Sequence, residues 1–95
     1  MRIKVKTLLP LLAEAMGGQE TEVEFAGTTA RDLIEHLIQR YGRKAREALH
    51  DRAGAIDPVV SLLRNEKEWV RTDRLAETTL QEGDTVTLMM LMAGG

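Results

Sequence analysis

The chain has 95 residues, of which 43% are hydrophobic, and its 13 basic and 15 acidic residues give a formal net charge of −2. This length and composition predict one domain with a packed core, and the near-neutral charge provides no general attraction to nucleic acid. The absence of cysteine excludes disulfides, thiolate zinc sites, cysteine nucleophiles and iron–sulfur clusters, because each of them needs sulfur from the chain.

The first seven residues alternate between apolar and basic side chains, and a period of two predicts a half-buried strand. We expect the basic face of this strand to lie in solvent. There it discourages pairing at a sheet edge or steers an acidic partner towards the protein. The basic face carries Arg2, Lys4 and Lys6.

The next two segments predict a short helix and a second strand. Residues 8–16 carry leucines at helical spacing, Pro10 suits a first helical turn, and Gly17 ends the helix. Residues 20–25 alternate again, which predicts a strand with its acidic face in solvent. The acidic face carries Glu20, Glu22 and Glu24.

The principal helix is predicted over residues 29–41, where one apolar stripe recurs at helical spacing. Thr28 or Thr29 can cap its start, and Asp32 stands where a capping box places its acceptor. Gly42 predicts a left-handed cap at its end. Residues 43–50 can add one or two helical turns, and a loop follows up to Pro58.

The C-terminal half predicts strands rather than helices. Residues 59–63 and 69–70 flank a polar turn and indicate a hairpin, whereas residues 71–81 are polar and irregular. A tight turn at residues 82–84 precedes the last strand, which we expect over residues 85–92. The resulting order predicts an α+β fold, with a mixed sheet of about five strands packed against one principal helix.

The last strand is apolar on both faces towards its end. One face carries Val86, Leu88, Met90 and Met92, and the other carries Thr85, Thr87, Met89 and Leu91. We expect the core to bury the first face. The second face is either covered by a helix or residues 8–16, or exposed as a docking patch that thioether side chains make adaptable. The sequence leaves both alternatives open.

The sequence ends in Ala93, Gly94 and Gly95. A Gly-Gly segment has no Cβ atoms and can thread a narrow active site. Its terminal carboxylate is ionised at neutral pH and is a poor electrophile until it is activated. A strand that projects such a tail therefore presents Gly95 as a substrate for another enzyme. We expect residues 1–92 to form the folded domain and residues 93–95 to form a flexible tail.

Four segments carry a resemblance to a known family: MRIKVK, TTARDLIEHLIQRYG, VVSLLRNEKEW and LQEGDTVTLMMLMAGG. Together they span nearly the whole chain. The most specific part is the Gly83-Asp84 turn, followed by a hydrophobic strand and the closing Gly94-Gly95. The chain resembles the ubiquitin-like sulfur carriers of the MoaD and ThiS type, whose fold is the β-grasp.

In that family, a partner resembling ubiquitin-activating enzyme uses ATP to adenylate the C-terminal glycine. The acyl-adenylate is then converted to a thiocarboxylate, which donates sulfur in a biosynthetic pathway such as that of molybdopterin. The resemblance implies that Gly95 is modified, that Gly94 is its spacer, and that Met89, Leu91 and Met92 dock partners. It implies an adenylyltransferase and a sulfur-accepting synthase subunit as partners, with no catalytic residue, cofactor or metal in this chain.

Two other functions stay open. A ubiquitin-like modifier would use the same acyl-adenylate to join Gly95 to a target lysine through an isopeptide bond. A β-grasp binding module would use its sheet and never activate its tail. The sequence also does not select a pathway, because residues 89–92 lack the prolines that precede the final glycines of molybdopterin-synthase small subunits.

The remaining candidate sites favour structural roles. His36 and His50 are distant in sequence and have no thiolate beside them, so no zinc site is expected. His36 is predicted on the solvent side of the principal helix, and Trp69 is predicted to pack or half-pack at the hairpin. The few aromatic residues do not interleave with the basic strand, so no platform for stacking nucleic-acid bases is expected.

Hydropathy predicts no contact with a membrane. No apolar run is long enough to cross a bilayer, and the N-terminal residues lack the apolar core of a signal peptide. We therefore expect a cytoplasmic protein.

Overall fold

The computed structural model describes residues 1–90, which form five strands, three α-helices and one 3₁₀ helix. The strands are β1 (Arg2–Thr7), β2 (Glu20–Glu24), β3 (Val60–Arg64), β4 (Glu68–Val70) and β5 (Thr85–Met90). The helices are α1 (Pro10–Met16), α2 (Ala30–Tyr41) and α3 (Arg43–Leu49), and the 3₁₀ helix is Thr72–Glu77.

The strands form one mixed sheet in the order β2-β1-β5-β3-β4, with β5 at its centre. β5 is parallel to β1 and antiparallel to β3, and the two outer pairs are antiparallel. Because β1 and β5 run the same way, the chain needs a long connection between them, and α2 and α3 lie within it. The predicted α+β class and mixed five-stranded sheet are confirmed.

The capping box of α2 is present as predicted. The Thr29 hydroxyl accepts a hydrogen bond from the Asp32 amide at 3.1 Å, and the Asp32 carboxylate accepts from the amides of Thr28 and Thr29 at 3.0 and 3.1 Å. These backbone hydrogen bonds lower the pKa of Asp32. The apolar stripe of α2 then forms the centre of the core, with Ala30, Leu33, Ile34, Leu37 and Ile38 buried.

The other two helices pack against each other beside α2. α3 buries Ala45 and Leu49, and Lys44 on its exposed side forms an ion pair with Glu14 of α1 at 2.7 Å. Gly42 separates α2 from α3 with φ 77° and ψ −141°. The predicted left-handed cap agrees with the positive φ of Gly42, but its predicted helical ψ angle is wrong. The ψ angle differs because Gly42 also precedes the first residue of α3.

The segment between β4 and β5 differs from its prediction. Residues 71–81 were expected to be irregular, yet they hold the 3₁₀ helix and two core side chains. Leu75 is 3% exposed and Leu80 is 1% exposed. Polar residues around each leucine hide it from any periodic pattern, and only its contacts with the core identify it.

The basic face of β1 does not protect a sheet edge, because β1 lies inside the sheet between β2 and β5. Its side chains face the acidic face of β2, which lies in solvent as predicted. Arg2 pairs with Glu24 at 3.8 Å and Lys4 pairs with Glu20 at 3.4 Å. These exposed pairs favour the observed register. They also neutralise Arg2 and Lys4, two of the three basic residues that could steer an acidic partner.

Candidate functional site

The face of β5 that points towards the helices changes character along the strand. Val86 and Leu88 are fully buried, whereas Met90 is 51% exposed. The expectation that the core buries Met90 is therefore wrong. β1 pairs with β5 only as far as Leu88, so Met90 has a strand neighbour on one side alone, at Val60 of β3.

The opposite face of the sheet, here called the outer face, is half-buried along β5 at Thr85, Thr87 and Met89. Thr87 and Met89 face a groove of about 530 Å³ between β1 and the β3–β4 hairpin, here called the outer groove. An open groove over Met89 agrees with the docking-patch alternative for this face. The groove lining includes Lys6, Leu8, Leu63, Glu66, Thr87 and Met89.

Strand register explains why these side chains meet. Thr87 lies between Lys6 of β1 and Leu63 of β3, and Leu63 in turn pairs with Trp69 of β4. Met89 is a diagonal neighbour of Leu63, a separation that long apolar side chains bridge. The row therefore passes from a charged residue to an apolar floor. Its last member, Trp69, is 51% exposed, so it half-packs as predicted.

Lys6 and Glu66 form an ion pair at the groove. The Lys6 ammonium donates a hydrogen bond to the Glu66 carboxylate at 3.0 Å. This hydrogen bond and the charge of Glu66 raise the pKa of Lys6. Lys6 comes from β1 and Glu66 from the turn after β3, so the pair reaches across the central strand. A partner that enters the groove meets the Lys6–Glu66 pair and the Glu20 side chain beside apolar side chains.

The start of β5 is held by a polar cluster, here called the Asp84 clamp. The Asp84 carboxylate accepts hydrogen bonds from Arg64 and Asn65 at 3.0 Å and from the Gln81 amide at 2.8 Å. The Asn65 side chain also accepts from the Thr85 amide at 2.8 Å. Burial by itself raises the pKa of Asp84, but these hydrogen bonds and the Arg64 charge outweigh it and hold the pKa below its usual range.

The predicted site residues divide between the described chain and its end. Met89 lies in the outer groove, whereas Leu91, Met92, Ala93, Gly94 and Gly95 lie outside the described residues. Sequence reasoning missed Leu63 and Leu8, and Leu8 is 62% exposed. Alternation around the buried pair Val60 and Leu62 already predicts Leu63 on the outer face, whereas nothing local indicates that Leu8 borders the same groove.

The other candidates keep structural roles within residues 1–90. His36 is not simply solvated as expected, because its ring lies 6.0 Å from the Phe25 ring at a tilt of 39°. No group of His, Asp or Glu side chains in that range is arranged to hold a metal ion. None of the helices there has the length and apolar character needed to cross a membrane.

Comparison with known proteins adds a family match. The model of the ThiS family matches residues 8–95, so it covers most of the chain. No curated protein matches the chain. Among solved structures, a putative molybdopterin converting factor, subunit 1, from Pyrococcus furiosus is 26% identical with a TM-score of 0.69, and the match covers 97% of this chain and 99% of that one.

Two further solved structures extend the comparison. A chain of the BexX/CysO complex of Amycolatopsis orientalis is 26% identical with a TM-score of 0.68, over 98% of this chain and 99% of that one. SAMP1 from Haloferax volcanii is 21% identical with a TM-score of 0.76 over the whole of both chains, a likeness that shows the fold alone. These matches confirm the ubiquitin-like β-grasp fold.

Proposed function

The chain belongs to the ThiS family, and on that basis we propose that it is a sulfur carrier whose C-terminal glycine is activated by a partner enzyme. In this proposal, the Gly95 carboxylate attacks the α-phosphate of ATP, forms an acyl-adenylate and releases pyrophosphate. A sulfur donor then displaces AMP and leaves a thiocarboxylate on Gly95. The family match to residue 95 is the observation that carries this proposal.

The arrangement of β5 supports the proposal. The Asp84 clamp and the buried pair Val86 and Leu88 hold the strand at the centre of the sheet. The same strand leads directly into residues 91–95. A rigid central strand gives a partner a fixed base from which to take up the tail, so less conformational entropy is lost on binding.

We assign docking of the activating partner to the outer groove. Its apolar floor consists of Leu63 and of Met89, the second-to-last residue of β5. Exposed apolar surface bordered by charges is typical of protein interfaces. The thioether of Met89 can adapt to more than one surface, as a carrier that meets an activating enzyme and then a sulfur acceptor requires. The BexX/CysO complex is an example of a protein of this fold that assembles with another protein.

The sulfur acceptor is proposed to be a synthase subunit. The molybdopterin converting factor and the BexX/CysO chain are equally similar to this chain at 26% identity, so the comparisons give no preference for one pathway. A ubiquitin-like modifier is the second candidate, because it would use the same Gly94-Gly95 segment. Both functions pass through the same acyl-adenylate.

Mass spectrometry tests the proposal. The chain is incubated with ATP, sulfide and the adenylating enzyme of its own organism, and we expect a mass increase equal to the replacement of one oxygen by sulfur on Gly95. A variant lacking Gly94 and Gly95 should show no increase and should unfold at the same temperature as wild type. Lys–Gly95 adducts in cell lysate without a thiocarboxylate would instead establish the modifier function. If the chain that lacks Gly94 and Gly95 fully replaces the wild-type chain in cells, the protein acts as a binding module.

A substitution pair tests the docking surface. Met89→Ser should raise the KM for the carrier in the adenylation reaction about tenfold or more, because a buried apolar contact at an interface is lost. The matched control is Leu11→Ser, which also truncates a partly exposed apolar side chain but lies on α1 outside the groove lining. Equal KM values for the two variants would contradict docking at the outer groove.

A further inference from the structure

The segment from α2 to the following loop carries a group of arginines with unused hydrogen-bond donors. Arg40, Arg46 and Arg52 are exposed, and within residues 1–90 none of them has a carboxylate at ion-pair distance. Arg43 is paired with Glu47 at 3.2 Å but its side chain is 89% exposed. We call Arg40, Arg43, Arg46 and Arg52 the arginine corner.

The carboxylates around the arginine corner already have partners. Glu14 pairs with Lys44 at 2.7 Å. Asp51 accepts hydrogen bonds from the amides of Ala53 and Ala55, and Asp57 accepts from the Val59 amide at 3.0 Å. Within residues 1–90, no carboxylate therefore occupies the guanidinium groups of Arg40, Arg46 and Arg52, which leaves their donors available to a ligand.

The arginine corner lies at the end of the sheet where β5 ends. β1 and β5 are parallel and their pairing ends at Thr7 and Leu88, so α1 starts at that end. The Leu8 amide donates to the Leu88 carbonyl at 3.0 Å, and the Lys44–Glu14 pair joins α3 to α1. The described part of β5 therefore ends on the same side of the molecule as this arginine surface.

The loop after α3 also leads towards the end of β5. The Asp57 amide donates to the Leu49 carbonyl at 2.8 Å, which holds the loop against the end of α3. Three residues later, Val60 pairs with Met90, the last described residue of β5. Arg52 lies within this loop, so the corner and the end of β5 are joined through short, hydrogen-bonded segments.

The chemistry of the corner suits an anionic protein surface. A guanidinium group offers a planar set of donors that matches carboxylate geometry, and Arg43 and Arg46 share one exposed face of α3 because they are three residues apart. Nucleic acid is disfavoured, because the chain has a net charge of −2 and the one aromatic ring beside the corner, Tyr41, lies under the Arg40 guanidinium at 5.5 Å.

We infer that the arginine corner is a second docking surface, which binds an acidic surface beside the active-site entrance of the adenylating partner while the outer groove binds an apolar one. The inference rests on the proposed function, because that partner must take up the tail. Charge attraction at this end orients the carrier with residues 91–95 towards the active site before the short-range apolar contacts form.

The test compares two double variants that remove the same amount of charge. Arg40→Gln/Arg46→Gln changes the corner, and Arg31→Gln/Lys67→Gln changes the other end of the molecule, at the start of α2 and the tip of the β3–β4 hairpin. Neither Arg31 nor Lys67 has an ion-pair partner within residues 1–90. Pyrophosphate release gives KM for the carrier and kcat with the adenylating enzyme of the same organism.

We expect the corner variant to raise KM about five- to tenfold at low ionic strength with kcat unchanged, and the difference to fall towards one at about 0.5 M salt. The control variant should keep the wild-type KM. Because Arg40 contacts Tyr41, unfolding temperatures are compared, and Arg52→Gln provides a loop variant that should raise KM in the same direction.

Three outcomes overturn the inference, and each is distinguishable. Equal KM values for the two double variants would show that KM depends on the net charge of the chain, or that it does not depend on charge at all. Binding of a single-stranded RNA oligonucleotide that is lost only in the corner variant, with KM unchanged, would assign the surface to nucleic acid. If the wild-type chain is not adenylated at all, the proposed function fails and the inference fails with it, whereas adenylation with an unchanged KM refutes the inference alone.

Discussion

The two ends of β5 differ in almost every physical property. At its start, Asp84 is buried and hydrogen-bonded to three groups, and the strand pairs with neighbours on both sides. At its end, Met90 is half exposed, has one strand neighbour and directly follows Met89, which we assign to docking. The first end stabilises the fold, and the second end keeps exposed apolar surface beside the residues that we propose for docking.

This difference shows how one strand can serve two purposes. The Asp84 carboxylate at the start is hydrogen-bonded inside the protein, and no buried side-chain polar atom within residues 1–90 lacks a partner. Apolar groups at the other end keep contact surface that folding has not used. A carrier that passes between enzymes needs both, because the strand must stay in place while the surface around its end changes partner.

The largest expected difference is between core and end positions on the same face of β5. Leu88→Ala should lower the free energy of unfolding by about 2–5 kcal/mol, because it leaves a cavity at a fully buried site. Met90→Ala should change it by less than about 0.5 kcal/mol, because the side chain is already half in solvent. Chemical denaturation of both variants measures the contrast, and similar losses would show that Met90 is part of the core.

A smaller effect is expected at the Asp84 clamp. Asp84→Ala leaves the donors of Arg64, Asn65 and Gln81 without their acceptor, which should lower the free energy of unfolding by about 1–3 kcal/mol. The adenylation KM should not change, since the clamp lies at the opposite end of β5 from the groove floor. An increase in KM without loss of stability would contradict the division between the two ends.

The smallest effect is the acid dependence of stability. Since the folded pKa of Asp84 is lowered, its contribution is fully present above the unfolded value of about 3.9 and is lost as the pH falls through the folded pKa. Asp32 acts in the same direction through the hydrogen bonds of the α2 cap. Denaturation midpoints between pH 7 and about pH 3 should therefore fall for wild type and fall less for Asp84→Asn. Parallel curves would show that Asp84 contributes nothing to the acid dependence.

Local patterns predicted most of the fold. The alternation of residues 1–7 and the stripe of α2 follow from contacts between near neighbours in the chain, so the sequence is sufficient to identify them. The capping box depends on residues three positions apart and was predicted for the same reason. Predictions failed where contacts with distant segments determine burial. Leu75 and Leu80 are buried although they lie in a polar segment, and Met90 is exposed because the pairing of β1 with β5 ends at Leu88.

The residues of the candidate site also divide into those that local patterns predict and those that only tertiary contacts identify. Alternation within one strand predicts that Met89 lies on the outer face, and Leu63 follows from the same rule, whereas the docking role of Met89 was implied by the family resemblance. Leu8, Glu66 and the Asp84 clamp come from separate parts of the sequence, and only strand order and register bring them to the two ends of β5. The arginine corner could be read as a charged segment, but its position beside the end of β5 required the contacts of α3 with α1.

By itself, the sequence determined the class of fold, because alternation and helical periodicity are local patterns, and it carried the family resemblance in four segments that span nearly the whole chain. The tertiary structure alone decided that β1 is internal, that the basic strip is paired with β2 and with Glu66, and that an open groove lies over Met89. The physical reason is that burial and charge pairing depend on which strands are neighbours, and a parallel pair such as β1 and β5 joins residues about 80 positions apart, a separation that no local pattern records.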